Sequence, residues 1–290
     1  MRRAGAIAVL LLLPVLVLSS ASASSGATTA PRIVAVHAPF AKSAAREASA
    51  NWAGYAVLSS DAAAPTSFTS VTGTWTVSSV ACDASGSSSA SAFWVGLGGY
   101  STTSQALAQI GTDADCSPAG ASTYYAWYEL VPEPPVNLAI KIEPGDTITT
   151  SVNVTGDTVL LQLKNRTLRT VFTKRATTSN LDLSSAEWIT EAPSNCSTFS
   201  CRPVPLSNFG SVTFSRIATI GNGHPGTLTD PTWSATPIQL VPHANGGFYP
   251  GHDRGFFSQS STAGTALPAG LTPDGRAFTL SWTASASGGG

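Results

Sequence analysis

The chain has 290 residues, 42% hydrophobic and only 11% charged, with 15 Lys and Arg against 16 Asp and Glu. That balance offers no basic field to phosphates, so a nucleic-acid partner is disfavoured. Beyond the N-terminus no segment reaches about 18 uninterrupted apolar residues, which disfavours a membrane span.

The N-terminus opens with Met1-Arg2-Arg3, continues into an apolar run containing Pro14 and ends on Ala21-Ser22-Ala23. This is the pattern of a secretory signal peptide cleaved after about Ala23, and it predicts a secreted, extracellular protein. Residues 24–48 are rich in Ala and Ser and carry basic charge, and they read as a pro-segment or a linker. Without residues 1–48 the chain keeps 10 basic and 15 acidic groups, a net of −5. The remainder, 49–290, is long enough to bury the core of one domain.

From Asn51 onward, short runs of Val, Thr, Trp, Tyr and Ile alternate with Gly, Ser, Pro or Asp, as in "NWAGYAVL", "FTSVTGTWTV", "AFWVGLGG", "TYYAWYELV" and "AEWITE". Runs of this length, spaced by roughly ten residues, predict an all-β antiparallel sandwich of two packed, curved sheets. "EPGDT" and "VTGDT" bracket a hairpin. The stretch 222–275 is Gly- and Pro-rich with weak alternation, and reads as long loops holding one or two short strands. Four cysteines in an exported chain suggest two disulfides. Cys196 and Cys201 are close enough to staple a hairpin, which leaves Cys82 with Cys116. No C-x-x-C spacing occurs and His37, His224, His243 and His252 stand singly, so neither a metal nor another cofactor is expected.

Strand parity selects the candidate site residues. In "AEWITE", Glu187 and Glu191 share a face with Ile189. A solvated face or a charged sheet edge would account for that, but the chain has only six glutamates to spend. In "TYYAWYELV", Tyr125, Trp127 and Glu129 share one face, a set that suits a peptide- or sugar-binding groove or ordinary core aromatics with a rim charge. In "ALAQIGTD", Gln109 faces with Leu107 and Gly111, and a buried amide there needs hydrogen-bond partners. The G-x-S-x-G, H-E-x-x-H and pepsin-type Asp-Thr-Gly signatures are absent.

Taken in order, "SANWAGYAV", "GTWTV", "FWVGLGG", "ALAQIGTD", "YYAWYELVP", "IEPGDTI", "AEWITE" and "FGSVTF" resemble the glutamic peptidases, the eqolisin family, over roughly residues 50–215. The resemblance implies a secreted, acid-active endopeptidase acting on polypeptides through a Glu and Gln pair, and it matches these to Glu187 and Gln109. It sets Trp52 and Trp94 near the site and Trp127 with Glu129 on the substrate side, while strand parity adds Tyr125 and Glu191 at the edge of the groove. Gly98, Tyr125 and Ala192 stand where fungal members carry acidic residues, and 193–206 and 222–256 look like insertions. The chemistry agrees, because one carboxylate can serve as base and then acid while an amide stabilises an oxyanion without titrating. The rival readings are a glycosidase or sugar-binding sandwich built on Glu129 and Glu187, or an inactive relative kept as a binding protein. Gln109 discriminates, since paired carboxylates need no amide.

Overall fold

The computed structural model describes residues 47–84, 86–101, 103–196, 201–241 and 264–285. The expected signal peptide, and the pro-segment except its last two residues, lie outside the described residues. Strands β1 (Glu47–Ser49), β2 (Trp52–Ser59), β3 (Phe68–Thr76), β4 (Ser89–Leu97), β5 (Leu107–Cys116) and β6 (Ser122–Val131) are followed by the short β7 (Val136–Asn137). Then come β8 (Thr147–Thr155), β9 (Thr158–Asn165), β10 (Thr170–Thr177), β11 (Ser185–Glu191), β12 (Ser194–Cys196) and β13 (Cys201–Pro203). The chain closes with β14 (Ser211–Gly221), β15 (His224–Gly226), β16 (Trp233–Leu240), β17 (Gly264–Pro268) and β18 (Phe278–Ala284). No helix occurs among the described residues.

The strands form one hydrogen-bonded path, β10-β9-β8-β3-β14-β18-β17-β16-β2-β11-β4-β5-β6-β7, which curls over on itself into two layers. One layer is β10, β9, β8, β3 and the later part of β14, and the other runs from β16 through β2 and β11 to β7. The turn between layers is made partly within β14. Its Ser211–Phe214 part pairs with β18 and its Ser215–Gly221 part with β3. The switch occurs at a register shift where Arg216 has φ 51°, since an extra residue sharpens the local twist and lets one strand serve two partners.

The two layers meet through aromatic side chains whose polar ends are satisfied across the gap. Trp188 of β11 donates its indole N–H to the Thr72 carbonyl of β3 at 2.8 Å, and Trp75 of β3 donates to the Thr112 hydroxyl of β5 at 3.1 Å. Trp75 also packs on Phe214 and Phe93 on Phe209, at centroid distances of 5.4 Å. Each such side chain contributes about 1.5–3 kcal/mol when fully buried.

The hairpin read from "EPGDT" and "VTGDT" is β8–β9, with residues alternately buried and solvent-facing. The Gly- and Pro-rich stretch holds more sheet than its pattern suggests, because β16 pairs with β2 from Trp233↔Ser59 to Ile238↔Gly54. Its Pro237 is tolerated because the opposite edge of β16 takes up partners only from Ile238 onward. All seven residues of β11 are buried. The solvated-edge explanation for its glutamates therefore fails.

Candidate active site

Glu187, Gln109 and Glu129 are set side by side by strand register. β11 lies between β2 and β4, so Glu187 is opposite Ala56 on one side and Gly96 on the other. Gly96 is in turn opposite Gln109, and Gln109 is opposite Glu129. One row across the sheet thus reads Ala56, Glu187, Gly96, Gln109, Glu129. Adjacent strands are about 4.8 Å apart, so roughly 10 Å separates the backbones of Glu187 and Gln109. Gly96 between them carries no side chain, and the Trp94 ring and Leu107 close over it instead.

Side chains return to the same face every second residue, so two further rows follow. The first is Gly54, Ile189, Trp94, Gly111, Trp127, and the second is Trp52, Glu191, Ala92, Asp113, Tyr125. The face therefore collects all eight residues singled out from the sequence. They sit around a second apolar cluster that includes Trp52, Trp94, Leu107, Trp127 and Ile189, on the opposite side of the sheet from the interlayer core. Glycines make room for the indoles. A Cβ at Gly111 would lie 2.6 Å from Trp94 Cβ, and one at Gly96 would lie 2.9 Å from Trp94 Cζ3.

The polar groups differ sharply in how they are satisfied. Gln109 Nε2 donates to Glu129 Oε2 at 2.8 Å, which fixes the amide, while its Oε1 is buried without a partner. Glu187 is 0% exposed and neither of its carboxylate oxygens makes a hydrogen bond among the described residues. Burial pushes its pKa well above the ordinary glutamate value; the nearby Ser185 hydroxyl opposes this and the charge of Asp182 adds to it. Glu187 and Gln109 Oε1 are thus buried hydrogen-bonding groups on either side of a glycine that are not spent on holding the fold.

Glu191 behaves differently from its neighbour on the strand. The sequence places it at the groove border, whereas in the structure it is fully buried, accepting from Asn51 Nδ2 at 3.1 Å and from Trp94 Nε1 at 2.9 Å. Asn51 also accepts from the Ser49 hydroxyl at 2.9 Å. This chain of bonds fixes the Trp94 indole, which meets Trp52 edge to face with centroids 5.0 Å apart.

Sequence reasoning missed Asp113 and Asp115. Asp113 accepts from Tyr125 OH at 2.6 Å and Trp127 Nε1 at 3.0 Å, and Asp115 accepts from the same tyrosine at 3.0 Å. Burial pushes Asp113 well above the usual carboxylate range, with the Asp115 charge adding to it, and burial raises Asp115 to about 7. The signal was present in "LAQIGTDADC", where parity from Gln109 runs through Gly111 to Asp113 and Asp115. The same strand ends in the Cys82–Cys116 disulfide, with Cα atoms 5.4 Å apart. Cys196 and Cys201 are register partners in the β12–β13 pair. Gly98 has φ 86°, and a Cβ there would fall 2.4 Å from the Asp182 carbonyl oxygen, so no side chain fits. Among the described residues no three His, Cys, Asp or Glu side chains come together to hold a metal ion.

Residues 50–241 match the profile of the Peptidase A4 family. The chain belongs to this family. It is 33% identical over 202 residues to scytalidopepsin B of Scytalidium lignicola, covering 66% of this chain and 72% of that one. It is 31% identical over 203 residues to aspergillopepsin-2 of Aspergillus niger, covering 61% and 66%. Its fold is similar to that of scytalido-glutamic peptidase crystallised with a peptide-based transition-state analogue, with a TM-score of 0.59 and 26% identity over 81% of this chain and 98% of the other. A similar match, with a TM-score of 0.57, is the eqolisin SCP-B in complex with the tripeptide Ala-Ile-His. As a Peptidase A4 member the chain is a glutamic endopeptidase acting on polypeptides, and the glycosidase and sugar-binding readings fall. No helix of the described residues is long and apolar enough to cross a membrane.

Proposed function

We propose that this Peptidase A4 protein is a secreted, acid-active endopeptidase in which Glu187 activates water and Gln109 stabilises the tetrahedral oxyanion. The observation that carries this is the row Glu187, Gly96, Gln109, with a buried, unpartnered carboxylate on one side of the glycine and an amide oriented by Glu129 on the other.

The scissile bond is placed between the two side chains that flank Gly96 in the row. Glu187 takes a proton from a water molecule whose oxygen attacks the scissile carbonyl carbon. The carbonyl oxygen becomes an oxyanion and accepts a hydrogen bond from the Gln109 Nε2 proton not committed to Glu129, while Gln109 Oε1 orients the water. Glu187 then delivers its proton to the leaving nitrogen as the C–N bond breaks, and the free carboxylate is restored. Burial strengthens Glu187 as a base, and its raised pKa makes the protonated form readily available as the acid. The secretory pattern of residues 1–23 supports export, and the basic segment 24–48 complements an acidic body as a pro-segment would.

Glu187→Gln keeps the size and removes the ionisable group, so hydrolysis of an acid-denatured protein, assayed with pepstatin present, should fall by at least about 10²-fold. Gln109→Ala should cost about 10²–10³-fold. Circular dichroism should report retained folding in both. A correctly folded Glu187→Gln protein that cleaves at the parental rate would sink the assignment. Because the free base is needed, the acid limb of kcat/KM should lie above the ordinary glutamate pKa of about 4.3.

A further inference from the structure

The overall charge balance conceals a local excess. Half of the ten basic residues of 49–290 fall between Asp157 and Asp182, where Lys164, Arg166, Arg169, Lys174 and Arg175 stand with no Asp or Glu among them. This stretch folds as β9, the turn after it and β10, the strand at one end of the sheet path. The neighbouring strands β3 and β8 also lack Asp and Glu. Val152, Leu161 and Leu163 point into the interlayer core, so the alternate positions face outward. Register sets Val171 opposite Lys164 and Lys164 opposite Thr149 on that outward face, with Arg175 on the same face four residues further along β10. Arg166 lies back over it, its Nε donating to the Thr149 hydroxyl at 2.7 Å.

The turn between β9 and β10 is held in place. Buried Asn165 accepts from the Leu168 amide at 3.0 Å and donates to Asp146 at 2.7 Å, and the Thr147 amide donates to the Thr167 hydroxyl at 2.9 Å. Leu168 is thereby kept 39% exposed between Arg166 and Arg169, and Val171, beside Lys164, is 60% exposed. Arg169 takes φ 56°, a left-handed conformation that glycine or asparagine adopts more readily. Among the described residues none of the five cations makes an ion pair. Lys174 lies over the Tyr128 ring, 5.9 Å from its centroid. Asp146, which reaches the turn through Asn165, is buried, and Glu143 beside it pairs with Lys141 at 2.8 Å. Guanidinium and ammonium groups keep their charge in acid, where carboxylate partners are progressively neutralised and phosphodiesters are not. The outward positions of β3, β8, β9 and β10 hold no aromatic ring on which a base would stack. Exposed Leu and Val ringed by Arg and Lys suit instead the boundary between headgroups and acyl chains of a bilayer.

We propose that the β9–β10 hairpin docks this protein on an anionic phospholipid bilayer, with Lys164, Arg166, Arg169 and Arg175 on headgroup phosphates and Leu168 and Val171 in the interface. The hairpin face points away from the row of Glu187 and Gln109, which lies on the outer side of the other layer. Docking therefore leaves that row open, and it stands apart from the peptidase reading. Co-sedimentation of the secreted protein in mild acid and low salt, with vesicles of phosphatidylcholine alone or mixed with phosphatidylglycerol, tests it. Binding should require phosphatidylglycerol, and the combined Arg166→Gln, Arg169→Gln and Arg175→Gln variant should bind about 10²-fold more weakly, roughly fivefold for each cation near the surface. Leu168→Ser with Val171→Ser should weaken vesicle binding by roughly tenfold and leave binding to soluble inorganic polyphosphate unchanged. Circular dichroism checks that the variants fold, and release of the unaltered protein by about 0.5 M salt probes the same charges with no substitution. Absence of binding, equal binding to both kinds of vesicle, binding that survives salt, or parental binding by the triple arginine variant overturns the proposal. An apolar variant that binds vesicles as the parent does also overturns it, and makes the patch a site for an anionic polymer instead.

Discussion

Gly96 shows how one missing side chain makes the site. A Cβ there would lie 2.9 Å from Trp94 Cζ3, 3.0 Å from Leu107 Cδ1 and 3.3 Å from Gln109 Cβ. Gly96→Ala should therefore fold but shift Trp94 and Gln109 by tenths of an ångström, lowering kcat by roughly 10–100-fold, as misplacement of positioned groups does. Steady-state kinetics beside a melting curve separates that outcome from simple unfolding. Glu191 makes the opposite case. It accepts from both Asn51 and Trp94, so Glu191→Gln can satisfy only one of them and sets an N–H donor against the other. We expect about 1–3 kcal/mol of lost stability in urea unfolding. An unchanged midpoint would mean that the Asn51–Glu191–Trp94 chain holds nothing.

Among the elements, β5 links the candidate site to the disulfide. It carries Gln109 and Asp113, and its last residue, Cys116, is bonded to Cys82, a separation of 34 residues. Replacing both cysteines by Ser should cost about 3–4 kcal/mol in the chain-entropy account of a loop of that size. Non-reducing peptide mapping should recover Cys82–Cys116, and the facing positions of Cys196 and Cys201 predict the second bond. The first strand narrows the expected maturation point. Glu47–Ser49 pairs in parallel with Ile238–Leu240, and the Val241 amide donates to the Ser49 carbonyl at 3.0 Å. Processing that left Asn51 as the first residue would remove this pairing and the Ser49–Asn51 bond. N-terminal sequencing of acid-treated protein should therefore find a start between about Ser43 and Glu47, so that β1 is kept. A fully active form that begins at Asn51 would show β1 to be dispensable.

At the scale of the whole molecule, the buried carboxylates set the direction of the pH response. Asp113 and Asp115 have folded-state pKa values above their unfolded ones, so the folded state holds protons that the unfolded state releases. Their contribution is fully present below about pH 4 and is lost as pH rises towards 7. For Asp115, a move from 3.8 to about 7 corresponds to on the order of 4 kcal/mol withdrawn at neutral pH. The melting temperature should be highest in acid and fall between pH 4 and 7, and Asp115→Asn should flatten that slope. Equal melting temperatures at pH 4 and pH 7 would show that the cluster does not control stability. With the proposed Glu187 limb below and this loss above, activity should be highest in mild acid, which a pH–rate profile read beside the melting curve checks.

Local chemistry determined much of this protein. Alternation in "AEWITE" and "TYYAWYELV" is a property of the extended chain itself, so fold class and the faces of Glu187, Trp127 and Glu129 could be read without tertiary information. The proximity of Cys196 and Cys201 in register follows from five residues of chain. Tertiary structure decided everything that depends on which strand lies beside which. Nothing local tells that β11 inserts between β2 and β4, more than 80 residues earlier in the chain, and only that insertion brings Glu187 to Gly96 and Gln109. The same is true of β16, whose Pro and Gly surroundings hide a strand that exists because β2 offers it an edge. Burial was the other long-range variable. Glu191 and Glu187 occupy equivalent places in the sequence pattern, yet Asn51 and Trp94 reach only one of them, and the other carboxylate is left without a hydrogen-bond partner among the described residues.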